Sequence, residues 1–216
     1  DLSVDSLNSL DYAVDYAKKS GASLTLVNVI EYPWRIVDSV ASMIKPDIFD
    51  KSEVVSASKY ILEKLTAKIK KDYSINVNYK LLYGNLIKSV VEYIKDINPK
   101  LMILTTSGSC SNTGYRLADY APISVVTVNK DTTFHPVKRI LFPINDKLIT
   151  TKKLNELVRI SKIYKAEIVL FGIAKNANES LEEISIYMES ILKKLQTNRI
   201  PTKLSMIVDN DYSEAI

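Results

Sequence analysis

The chain has 216 residues, 46% of them hydrophobic and 25% charged, with a formal net charge of +4. That is a globular composition, enough for one large domain or two of ordinary size. It excludes a disordered chain, and no apolar run approaches the roughly 20 residues that a helical membrane span needs.

The start, DLSVDSLNSL, lacks the basic and apolar regions of a signal peptide. Residues 6–20 place Leu7, Leu10, Ala13, Val14 and Ala17 at helical spacing, and Gly21 is a natural C-terminal stop. ASLTLVNVI (22–30) reads as a buried strand. A helical period resumes over 51–72 through Val54, Val55, Ala57, Ile61, Leu65 and Ile69, followed by a strand candidate at 75–84. The spacing then predicts a helix over 86–97, a strand over 101–106, a short helix over 112–120 and a strand over 124–129. Strand and helix alternating without hairpin signals point to parallel sheets covered on both faces, hence an α/β fold, with right-handed crossovers.

Residues 129–136, NKDTTFHP, are polar and end in proline, so 131–136 reads as a linker between a first unit, 1–130, and a second, 137–216. After it a strand of the same kind begins, VKRILFPIND (137–146). A shift of 144 residues lays Leu10 on Leu154, Val14 on Val158, Ala22 on Ala166, Leu24 on Ile168, Leu26 on Leu170 and Val29 on Ile173 without a gap. Further on, LLYGNLIKSV (81–90) matches IVDNDYSEAI (207–216) at a shift of 126, which makes the second copy 144 − 126 = 18 residues shorter. The surplus falls around 32–49, which carries the only Trp and reads as a helical insertion or a flap. The first copy has no counterpart of RILFPIN, and the second stops inside its third helix. The expectation is a longer protein in which that first strand is present, because a unit lacking it exposes a sheet edge.

These residues carry a family resemblance. SLDYAVDYAKKSGASLTLVNVIE and YGNLIKSVVEYIKDINPKLMILTTSG are similar to the first helix with second strand, and the third helix with fourth strand, of the universal stress protein (UspA-like) family. YAPISVVTVN resembles its closing strand and RILFPIND its opening strand, so a tandem member is implied. The resemblance implies two Rossmann-like or flavodoxin-like units and a cytoplasmic, non-enzymatic module of the stress response. It further implies pairing through the last strands of the units, as a homodimer or an intramolecular pseudo-dimer. Many members bind ATP. The positions that match their site are Asp1 and Ser3 after the first strand, Val29 ending the second, and Thr105, Gly108, Ser111 and Asn112 in the turn after the fourth. ATP or AMP, with magnesium, is the implied ligand of the first unit. In the second unit Asn145 stands at the Asp position and Ile173 at the apolar one, and an amide lacks the charge of a carboxylate acceptor.

The turn TTSGSCSNTG (105–114) departs from the family pattern G-x2-G-x9-G-[ST], being several residues too short. Two readings stand. Glycines that let backbone N–H groups approach, ahead of a helix N-terminus, make an anion cradle, and ligands in open α/β sheets collect at strand carboxyl ends. Alternatively it is a strand-to-helix turn with Ser111 or Asn112 as N-cap.

Other chemistry is thin. The lone Cys110 excludes an internal disulfide and fits a reducing compartment; with the single His135 it cannot build a conventional zinc site. Asp1, Asp5, Asp11 and Asp15 read as solvated acids and helix N-terminal charge in preference to a magnesium pocket. Scattered lysines interleaved with acids read as solvated helix faces, not a nucleic-acid surface. There is no G-x4-G-K-[ST], no paired catalytic carboxylates and no Ser–His arrangement, which weighs against a nucleotide hydrolase. A scaffold that binds protein and no nucleotide is the remaining alternative.

Overall fold

The computed structural model describes residues 7–31, 51–106, 112–145, 149–174 and 180–208. They form two compact units, 1–134 and 135–216. In chain order the first holds α1 (Asn8–Ser20), β1 (Leu24–Ile30), α2 (Lys51–Tyr73), β2 (Val77–Tyr83), α3 (Leu86–Ile97), β3 (Leu101–Thr106), α4 (Asn112–Tyr120) and β4 (Ser124–Asn129). The second holds β5 (Arg139–Ile144), α5 (Thr151–Tyr164), β6 (Glu167–Ala174), α6 (Ser180–Thr197) and β7 (Thr202–Val208). Among the described residues every strand pairing lies within one unit and is parallel: β1 with β2 and β3 with β4 in the first, and a three-stranded sheet in the order β5-β6-β7 in the second. The α/β reading of the sequence holds. The surplus segment 32–49 lies outside the described residues.

Local chemistry sets the helix ends. Gly21 closes α1 at φ 69°, the left-handed conformation that spares glycine a Cβ clash. Asn85 caps α3 by accepting from the Lys88 N–H, and Thr150 caps α5 through the Lys153 N–H. The 144-residue repeat survives in three dimensions. Lys165, which aligns with Gly21, also closes its helix in the left-handed region at φ 52°, and β1 shifted by 144 falls on β6. The later offset differs by one residue. Leu24 pairs with Val77 and the equivalent Ile168 with Thr202, so β2 and β7 are related by a shift of 202 − 77 = 125, not 126. Apolar matching cannot fix that register here, because Leu81 and Leu82 are adjacent and equally apolar, as are Met206 and Ile207 opposite them in the repeat, so a slip of one residue still lays apolar on apolar.

In the first unit Val14, Ile69 and Val77 are buried together, with Leu10, Leu24, Leu26, Leu65 and Ile75 packed around them. α1 and α2 thus cover one face of β1–β2. Strand alternation turns Thr25, Val27 and Val29 to the other face, against which α3 lies. α1 continues across onto β3 and β4, while α4 packs on β3, β4 and α3. On the rim of α2, Tyr79 donates a hydrogen bond to Glu63 Oε1 at 2.9 Å, which holds its phenol above the ordinary tyrosine range.

The second unit has the deeper core. Ile144, Ile168, Leu170, Ile184, Met188, Ile191 and Leu195 are buried between the sheet, α5 and α6. Buried Ser161 of α5 donates to the Ala166 carbonyl at 2.7 Å, tying the helix end to the start of β6. Glu167 lies between Arg139 and Lys203, an exposed charge ladder across the three strands that contributes little stability.

Gly172 lets α6 approach β6. A Cβ there would stand 2.6 Å from Met188 Sδ, 3.1 Å from Ile184 Cγ2 and 3.3 Å from Met206 Cγ. Gly172→Ala is therefore expected to cost about 1–3 kcal/mol through overpacking, read as a lower urea midpoint at unchanged slope. An unchanged midpoint would show that the methionines move aside freely.

Candidate functional site

Parallel strands send their carboxyl ends to one edge, where ligands of open α/β sheets gather. In the first unit two such strand ends are described: that of β1, beside the start of α3, and that of β3, beside the start of α1. β1 closes at Ile30, whose carbonyl accepts from Gly84 N–H at 3.1 Å. Gly84 has φ 106°, a conformation few L-residues adopt, and this lets the chain turn from β2 straight into α3. Glu31 then reaches across the edge: its Oε1 accepts from Leu86 N–H, in the first turn of α3, at 2.8 Å. A carboxylate at a helix start satisfies an otherwise unpaired amide and meets the positive end of the dipole.

At the end of β3, Thr105 Oγ1 accepts from Ser9 N–H at 3.2 Å, in the first turn of α1. Thr106 carbonyl accepts from Lys130 N–H at 2.9 Å, and the Lys130 carbonyl accepts from the Asn8 side-chain amide. The starts of both helices at this edge are thus bonded to side chains of the protein itself.

Of the residues expected at a nucleotide site, Asp1, Ser3, Gly108 and Ser111 lie outside the described residues. Asn112 opens α4, so residues 107–111 alone join it to β3. Thr105 is half-buried on β3 and Val29 half-buried on β1, one residue before its end. They stand on separate two-stranded sheets. In the second unit Ile173 is buried on β6. Among the described residues, no group of three or more His, Cys, Asp or Glu could hold a metal ion.

Two residues escaped the sequence reading. Glu31 follows a strand like any polar terminator, and its partner is 55 positions away. Asn28 is 5% exposed in the middle of β1 and occupies the place that Gly172 takes in β6; a lone Asn in an apolar strand was the available signal.

The universal stress protein family model matches residues 1–128. The chain belongs to the universal stress protein family. Among solved structures, it is similar to a universal stress protein from Archaeoglobus fulgidus DSM 4304 at 13% identity. That match has a TM-score of 0.69 and covers 97% of this chain and 74% of the other. A functionally unknown protein from Pseudomonas aeruginosa PAO1 matches at 12% identity and TM-score 0.51, over 89% of this chain and 76% of the other. At these identities the likeness concerns the fold. No curated protein sequence matches the chain. No helix among the described residues is long and apolar enough to cross a membrane.

Glu31→Ala would leave the Leu86 amide without its acceptor. The expected loss is about 1 kcal/mol of stability, with faster hydrogen exchange at Leu86 and little change in β4. Equal exchange in both proteins would remove Glu31 from the architecture of this edge.

Proposed function

We propose that this universal stress protein is a non-enzymatic regulatory module of the stress response whose first unit receives an adenine nucleotide, ATP or AMP. The observation that carries the reading is the placement of Val29 and Thr105. Both lie at the carboxyl ends of parallel strands, and the glycine- and hydroxyl-bearing turn follows β3 directly. In this reading Val29 lies against the base, Asp1 and Ser3 hold the ribose, and the turn through Gly108, Ser111 and Asn112 receives phosphate, with magnesium as its counter-ion. The family's cytoplasmic setting belongs to the same proposal. So does self-association through last strands; among the described residues β4 pairs with β3 alone.

A second reading, a protein-binding scaffold without nucleotide, draws on a specific observation. Glu31 and Thr105 already use first-turn amides of α3 and α1, and residues 107–111 leave little chain to wrap a triphosphate. Weak ATP hydrolysis ranks below both.

Thermal unfolding in a titration with ATP and magnesium, and separately with AMP, discriminates these readings. At ligand concentrations about 100-fold above Kd, one site adds about 2.7 kcal/mol and raises the melting point. The rise should be lost in Asp1→Ala and Val29→Asp. No rise at millimolar nucleotide favours the scaffold, and steady phosphate release abolished by Asp1→Ala would favour the hydrolase.

A further inference from the structure

A helix that crosses from one parallel strand to the next runs back against both, so helix ends and strand starts meet at the amino edge of the sheet. In the second unit that edge gathers bases. Lys138 precedes β5, Arg139 opens it and Lys203 is the second residue of β7; all three are exposed. Lys162 and Lys165 end α5, while Lys194 and Arg199 stand at and just beyond the end of α6, and these too are exposed.

Side-chain contacts join them into one surface. Glu167, at the start of β6, holds Arg139 at 3.7 Å and Lys203 at 3.0 Å. Lys162 Nζ donates to Asn198 Oδ1 at 2.8 Å, beside Arg199. Glu167 is the one acid among the described residues of this edge. Glu182 and Glu183 stand in the first turn of α6, Glu189 midway along it, and Glu156 pairs with Arg159 inside α5. Along the chain these bases alternate with acids and read as solvated helix faces; the fold sorts the two signs apart.

The helix dipole favours cations at helix ends, which accounts for Lys162 and Lys194. It does not require Lys165 and Arg199. Both have left-handed backbone, φ 52° and 56°, where a Cβ is strained and glycine is favoured. The first unit shows that the turns need no charge. Gly21 stands at the place of Lys165, and Ser74, at φ 55°, at the place of Arg199. Lys203 falls on Asn78 in the same strand register. Charge at these three positions belongs to the second unit alone, and at two of them the backbone opposes it.

An edge so weighted toward cations suits a polyanion. No Phe, Tyr or Trp of the second unit is exposed among the described residues, so the stacking platforms that hold unpaired bases are missing. Phosphates on the outside of a duplex ask only for Arg and Lys.

We propose that the amino edge of the second unit binds duplex nucleic acid through its phosphates, without sequence preference. Arg139, Lys165, Arg199 and Lys203 contact the phosphates, and the planar guanidinium groups of Arg139 and Arg199 suit them best. Glu167 sets the direction of Arg139 and Lys203. The site is independent of the nucleotide reading, which concerns the first unit.

The test is fluorescence anisotropy of a short labelled duplex of mixed sequence, titrated with the 216-residue chain at several salt concentrations. The logarithm of the binding constant should fall with that of salt at a slope of about −4, as about four neutralised phosphates give. Lys165→Gly with Arg199→Gly supplies both turns with the residue their backbone favours, so the melting point should not fall. Binding by this double variant should drop about tenfold at low salt, with a slope shallower by about 2. Lys152→Ser with Lys153→Ser removes the same charge from the opposite end of α5 and should leave binding unchanged. Equal weakening by the two double variants would overturn the proposal, because the attraction would then be that of overall charge. Absence of binding at low salt would overturn it as well. So would binding only to phosphatidylserine vesicles or only to polyglutamate, since the edge would then serve a membrane or an acidic protein.

Discussion

Backbone hydrogen bonding across parallel strands is the constraint on which this protein turns. A strand inside a parallel sheet must be served on both sides, since its residues alternate between two neighbours. β6 meets that requirement through β5 and β7, and the deepest core of the chain is assembled on it: Ile168, Leu170 and Ala174 are fully buried, and Gly172 admits α6. Among the described residues β1 pairs with β2 and β3 with β4. In the first unit α1 packs on strands of both pairs.

The same geometry shapes the candidate site. The end of β1 meets the start of α3 and the end of β3 meets the start of α1, where exposed amides would ordinarily invite an anion. Here Glu31 and Thr105 occupy first-turn amides of those helices. Phosphate would have to be held by the turn after β3, and residues 107–111 are short for that task. A nucleotide seated on Val29 and a scaffold whose helix starts are internally capped are therefore real alternatives within one family fold. The family itself is settled by the match over 1–128.

Much of the fold was legible in the residues. The helix at 86–97 and the strands at 101–106 and 124–129 stand at the ends predicted, because each is bounded by a cap, a turn or a proline. The repeat at 144 was visible because α1 and α5, and β1 and β6, have apolar positions in common. The second offset was misread by one residue, since Leu81 and Leu82 are equally apolar and nothing local says which faces α2. Glu31 was illegible for a different reason: a carboxylate accepting from an amide 55 residues away leaves no short-range pattern. The candidate nucleotide residues were named through family resemblance; of these Val29 and Thr105 lie near the ends of β1 and β3, while Gly108 and Ser111 lie outside the described residues.

Residue-resolved hydrogen exchange on the nucleotide-free chain tests the central claim most directly. The account predicts slow exchange at Val169, Phe171 and Ile173, which face β5, at Leu170 and Gly172, which face β7, and at Leu26 and Asn28, which face β2. Fast exchange at Val169, Phe171 and Ile173 beside slow exchange at Leu170 and Gly172 would contradict it, because β6 would then be served on one side alone.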